Sequence, residues 1–236
     1  MPDTPGRRPG FFGHAALIAK KDLAIEWKSR EILATGGFLA IVIVLVFSFA
    51  FIVGGTPPGA SVSAGILWVA IIISGTVALA RTFDRERDGE AIRALLLSPA
   101  PRAAIYLGKL AATATLMVGV ELLVTVLCGL FFNAGAGTAT GRLALLLGLG
   151  TLGFASVGCV FSAALLRSKS RDVLLSTLLY PVVVPILIAG ARGTAQLLDP
   201  TPDLDAVTFW TEFMASVDVV FLVVGVWSFE PIISGD

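Results

Sequence analysis

Six stretches of this chain, 35–53, 63–80, 109–132, 143–166, 173–191 and 212–229, each run 18 or more residues nearly free of charge. At about 1.5 Å rise per residue, roughly 20 apolar residues wound as a helix cross the hydrocarbon core of a bilayer. The runs are continuous rather than alternating, and each is about twice the length of a ~10-residue barrel strand. Only a helix or a closed barrel satisfies its own backbone in lipid, so the runs read as helices. The sequence therefore predicts an all-α integral membrane protein with six transmembrane helices. Composition agrees, with 56% apolar and 14% charged residues, against about 25% charged in an ordinary soluble domain.

The basic residues set the orientation. Arg7, Arg8, Lys20, Lys21, Lys28 and Arg30 precede the first span. Arg81, Arg85, Arg87, Arg93, Arg102 and Lys109 lie between the second and third, and Arg167, Lys169 and Arg171 between the fourth and fifth. Fifteen of the 17 basic residues thus fall on one side, leaving Arg142 and Arg192 on the other. The excess marks the cytoplasmic face and puts both termini there. The formal net charge is zero, and nothing in the distribution points to nucleic acid. No cleavable signal is expected: the apolar stretch after Arg7-Arg8 is broken by Lys20-Lys21-Asp22.

Two segments are more than connectors. Residues 1–34 form a cytoplasmic N-terminal segment ahead of a membrane domain at 35–236. Within it Phe12, Ala16, Ala19, Leu23 and Trp27 recur at helical spacing. That predicts an amphipathic helix on the cytoplasmic leaflet with Trp27 as an anchor, either a plain lead-in or a docking element. The second segment, between spans two and three, carries alternating charges from Arg81 to Glu90. A short helical stretch at 91–97 follows, then Ser98-Pro99-Ala100-Pro101. A connector needs only a few residues, so this elaboration reads either as a solvated, ion-paired loop or as a surface for a partner. In the second case Arg85, Glu86, Arg87, Glu90 and Arg93 would steer docking. Leu95, Leu96 and Leu97 would form an apolar plug.

The stretch RDGEAIRALLLSPAPRAAIYLGK, Arg87 to Lys109, resembles the cytoplasmic loop of ABC-2-type export permeases, whose coupling helix sits in a cleft of an ATPase. More specifically, GILWVAIIISGTVALARTFDRERDGE, Gly65 to Glu90, resembles the CcmB family of haem exporters in the cytochrome c maturation system. LGTLGFASVG, Leu149 to Gly158, and LLSTLLYPVVVPILIAG, Leu174 to Gly190, resemble the same family. The resemblance implies a non-catalytic permease subunit in a bacterial inner membrane, with an ATPase-coupling helix that includes Gly89 and Pro99. It implies a CcmA-like ATPase, a CcmC-like haem-handling membrane protein, a CcmD-like small membrane protein and a CcmE-like periplasmic haem chaperone as partners. A second copy of the chain is implied by the two permease halves of ABC architecture. ATP-driven motion would then release the haem-loaded chaperone.

The residues themselves carry neither cofactor. There is no GxxxxGK[ST] loop for ATP phosphates. An exposed haem site calls for an axial His, Met, Cys or Tyr on an aromatic platform. The outer loops hold no His, Cys or Tyr, and the one histidine, His14, is expected in the cytoplasm. Cys128 and Cys159 lie far apart in apolar runs and read as buried thiols. ATP and haem are therefore expected on partner subunits, with no cofactor or metal held here.

Inside the spans, Glu121 falls about halfway along the third and Asp218 in the first half of the sixth, shallow enough to approach the interface. Intramembrane acids are costly and mark either helix-to-helix hydrogen bonding or transport and gating. Pro181 and Pro185 in the fifth span predict a kink, static or hinge-like. Gly148, Gly150, Gly153 and Gly158 predict a small-residue packing face on the fourth. The outer segment 192–211, acidic and Pro-rich, is either a connector or a periplasmic contact. Other readings of the same spans are an ABC-2 permease for a lipid, glycan or drug, a transporter working alone, and a non-transporting scaffold.

Overall fold

The computed structural model of the protein describes residues 10–52, 58–82, 100–132, 140–166, 168 and 170–234. Among the described residues the chain is wholly helical: α1 (Phe11–Ser29), α2 (Glu31–Ile52), α3 (Ala60–Thr82), α4 (Arg102–Phe132), α5 (Thr140–Ala164), α6 (Arg171–Leu198) and α7 (Leu204–Ser234). The six from α2 to α7 are long and apolar enough to cross a membrane. All six expected spans are present. Helices α3 and α5 are buried over most of their spans and form the centre, while α7 is the most open. Around them α3 packs on α2, α4 and α6, and α5 packs on α4, α6 and α7.

Helix ends extend past the apolar runs for local reasons. Helix α4 starts at Arg102, where the Pro101 carbonyl accepts the Ala104 N–H at 2.9 Å. Its 31 residues make about 46 Å of helix at 1.5 Å each, well over the ~30 Å hydrocarbon core. The overhang at its N-terminal end is a packing surface, with Ala104, Ile105, Tyr106, Gly108 and Lys109 all buried. At the opposite end of the bundle, α6 runs through Arg192 to Leu198 and α7 begins at Leu204. The expected 192–211 loop thus shrinks to 199–203. Its acids shape the turn: Asp199 Oδ1 accepts from the Thr201 N–H at 2.9 Å, and Asp203 Oδ1 accepts from the N–H groups of Asp205 and Ala206, both at 3.1 Å. Asp203 is a helix cap of the ordinary kind, satisfying donors that the first turn leaves free.

The glycines of α5 act as sockets for side chains rather than as a bare helix-to-helix contact. Trp68 of α3 lies against Gly150 of α5 and Gly190 of α6, where an added Cβ would come within 2.2 and 2.3 Å of its ring. Its Nε1–H donates to Thr194 Oγ1 at 2.9 Å. Leu79 fills the space beside Gly158, whereas Gly148 faces open space. Pro181 and Pro185 lie inside α6, which continues unbroken through both.

Candidate functional site: the ion-pair clasp and the acids of the spans

The expected coupling residues Arg85, Glu86, Arg87, Gly89, Glu90, Arg93, Leu95, Leu96, Leu97 and Pro99 lie outside the described residues. The two flanks of that segment are described, and each is tied to the N-terminal elements. On the entry side, Arg81 at the end of α3 places Nη1 2.6 Å from Glu31 Oε1, the first residue of α2. On the exit side, Lys109 of α4 places Nζ 2.9 Å from Asp22 Oδ2 of α1. The second pair is the more deeply set, with Lys109 1% exposed. Lys21 approaches the other Asp22 oxygen at 3.1 Å.

Helix α1 is held tightly enough to form these contacts. A Cβ on Gly108 would come within 2.7 Å of the Ala15 carbonyl oxygen and 2.8 Å of Ile18 Cβ, so α1 and α4 touch where only glycine fits. At its far end α1 stops with Arg30 in the left-handed region, φ 53°. Buried Glu26 then reaches across the corner. Its Oε1 accepts from the N–H groups of Ile32 and Leu33 at 2.7 and 3.2 Å, capping α2 from the preceding helix. A carboxylate at that position also complements the positive end of the α2 dipole. Phe12 and Trp27, the ends of the stripe read from the sequence, point away from the bundle at 79% and 74% exposed, while Ala19 and Leu23 between them are half-buried. The face that docks on α4 is a different one, built from Ala15, Ile18 and Asp22.

Residues 14–233 match the CcmB protein family. The chain belongs to that family. Heme exporter protein B of Haemophilus influenzae is 30% identical over 174 residues, covering 72% of this chain and 76% of that protein. Heme exporter protein B of Pseudomonas aeruginosa is 30% identical over 188 residues, covering 79% and 82%. The chain is thus a multi-pass membrane protein of the CcmB family.

Within the spans of this CcmB-family chain, the two acids sit at one level on opposite sides of α5. Glu121 of α4 accepts a hydrogen bond from Thr151 Oγ1 at 2.5 Å. Asp218 of α7 faces Gly153, two residues further along α5. Both acids are buried, 4% and 2% exposed. Asp218 lies further from the start of its helix than the sequence reading places it. Because α7 starts at Leu204 rather than near Glu212, Asp218 lies at the middle of the helix and opposite the middle of α5. A polar seam continues toward the end of the bundle where α1 packs, and there Cys159 Sγ lies 3.8 Å from Thr113 Oγ1. There Tyr106 shares a hydrogen bond of 2.6 Å with Ser156 Oγ.

Cys128 and Cys159 are both free and buried. No group of three or more His, Cys, Asp or Glu side chains among the described residues stands in position to hold a metal. Sequence reasoning used Lys109 for orientation and as the head of a span, and missed its pairing with Asp22. The available signal was a lysine with Ile105, Tyr106, Leu107 and Leu110 around it, an apolar setting that calls for a counter-charge.

Proposed function

We propose that this CcmB-family chain is the membrane permease subunit of an ABC complex that handles haem for cytochrome c maturation. The observation that carries the reading is the family match over residues 14–233, supported by relatives named heme exporter protein B. The subunit is non-catalytic: a CcmA-like ATPase hydrolyses ATP and docks on the coupling segment from Arg85 to Pro99, with Arg85, Glu86, Arg87, Gly89, Glu90 and Arg93 meeting the cleft and Leu95, Leu96 and Leu97 plugging it. The CcmC-like protein and the CcmE-like chaperone hold the haem, a CcmD-like protein assists, and a second copy completes the pair of permease halves. The site is a bacterial inner membrane, with both termini in the cytoplasm.

The anchoring of the two flanks supports this mechanism. A push on 83–99 reaches α3 and α4 through the backbone. It reaches α2 through Arg81–Glu31, and α1 through Lys109–Asp22. Four elements therefore receive one displacement, and Pro181 and Pro185 give α6 a place to bend in response. Such a subunit transmits force without touching haem or nucleotide.

Affinity purification of the chain from its own membranes tests the proposal. The expected result is recovery of an ATPase subunit together with a haem-handling membrane protein. Recovery of the ATPase with lipid- or glycan-processing proteins instead would move the chain to another cargo. Recovery of the chain with no ATPase would sink the reading.

A further inference from the structure

Asp218 is the one buried acid of the described spans for which neither oxygen has a hydrogen-bond partner among the protein groups. Its setting is shaped around it. A Cβ at Gly153 would come within 2.0 Å of Asp218 Oδ1 and 2.7 Å of Ile186 Cδ1, so the carboxyl fits only because α5 has a glycine there. An isolated carboxylate anion in hydrocarbon is among the most expensive groups a span can contain. The carboxylic acid form avoids that cost and carries an O–H that can donate.

We propose that the Asp218–Gly153 cradle is a proton-binding site between α7 and α5, and that its occupancy sets the contact of the two helices. With the proton bound, the uncharged acid stays against Gly153 and α7 remains seated. When the proton leaves, the anion requires water or a cation, and both lie away from the Gly153–Ile186 wall. The acid then draws the middle of α7 off α5.

The charged and titratable groups of the surrounding helices are differently placed. From α4, Glu121 is engaged by Thr151, and Tyr106 lies beside Gly225 and Ser156, about two turns from Asp218. From α5, Cys159 faces Thr113. From α6, the nearest wall residue is Ile186, and exposed Arg192 lies six residues beyond it. On α7 itself, Glu212 and Glu230 are exposed toward the two ends. None of these hydrogen bonds or contacts reaches the Asp218 oxygens.

The test uses dicyclohexylcarbodiimide on membranes containing the intact chain, across a pH series, read by peptide mass spectrometry. The reagent reacts with a protonated carboxyl. The acid oxygen bonds to the carbodiimide carbon while the proton passes to a nitrogen. The acyl group then shifts from oxygen to nitrogen, giving a stable N-acylurea with no oxidant and no departing group. The expected result is an adduct on Asp218 in the wild-type chain that falls away as pH rises. It is lost in Asp218→Asn and retained in Glu121→Gln. Gly153→Ala, which pushes the acid out of its cradle, should shift the pH dependence of labelling. The wild-type measurement stands even if a variant fails to fold. No adduct on Asp218, or labelling of it that is independent of pH, would overturn the proposal. The test requires no partner protein, so its failure leaves the ATPase-coupling reading intact.

Discussion

Lys109→Asp is expected to strip α1 from the bundle, and exchanging the two charges, Asp22→Lys with Lys109→Asp, is expected to restore it. Lys109 is 1% exposed and its Nζ lies 2.9 Å from Asp22 Oδ2. Removing one partner of a buried pair typically costs about 3–5 kcal/mol. The Asp22 side chain is 17% exposed and keeps Lys21 at 3.1 Å, which lowers that figure. Two facing carboxylates in place of a pair raise it again, so the lower end of the range is the expected loss. Two readouts apply: the melting temperature in detergent, and trypsin cleavage after Lys20, Lys21 and Lys28. Cleavage should rise sharply in Lys109→Asp and return toward the wild type in the exchanged variant. Equal cleavage in all three would mean that the pair does not hold α1.

Trp68→Ala is expected to cost about as much, mainly through lost apolar packing, with the hydrogen bond to Thr194 lost as well. The indole is 1% exposed and wedges α3 between α5 and α6 at Gly150 and Gly190. Loss of a large aromatic from a core costs about 3–5 kcal/mol in soluble proteins. Inside a bilayer the transfer term between helix surface and lipid is small and packing dominates, which favours the lower end again. Trp68→Phe keeps most of the wedge and loses the hydrogen bond to Thr194, a net change of about 1 kcal/mol. Gly190→Ala attacks the same contact from the other side. Its Cβ would meet the ring at 2.3 Å, and a rigid indole cannot give way. Overpacking of this kind costs about 1–3 kcal/mol. Melting temperatures should fall in the order Trp68→Phe, Gly190→Ala, Trp68→Ala. A Trp68→Ala protein as stable as the wild type would show that the wedge does not fix α3.

The spans were legible because lipid demands an unbroken apolar helix, and that demand leaves a run visible in one sequence. Their ends were harder to read. Gly190 and Gly193 look like punctuation, yet α6 passes through both because Trp68 and Leu146 occupy the space that their missing side chains leave. Arg102 and Gly108 look like a lead-in, yet they belong to α4 because α1 packs against that overhang. An error at one end moved a site. Starting the last span near Glu212 made Asp218 look shallow, whereas the Asp203 cap at the true start puts it at mid-helix. Partnerships across the fold, Asp22 with Lys109 and Glu121 with Thr151, join residues far apart in the chain and follow no periodicity. Glu26 is a different case. Its cap on α2 spans a single corner, and an acid nine residues before the predicted span is a usable cue for it.

The charge on the 83–99 segment offers the most direct test of force transmission. Glu86→Lys and Glu90→Lys, introduced together, reverse two charges on the surface assigned to the ATPase and leave every described helix unchanged. The measurement is the amount of ATPase subunit recovered with the purified chain, with gel filtration confirming that the spans remain folded. A clear loss of ATPase from a chain that still elutes as the folded protein is the predicted result. Undiminished recovery would contradict force transmission through this segment and separate it from the motor.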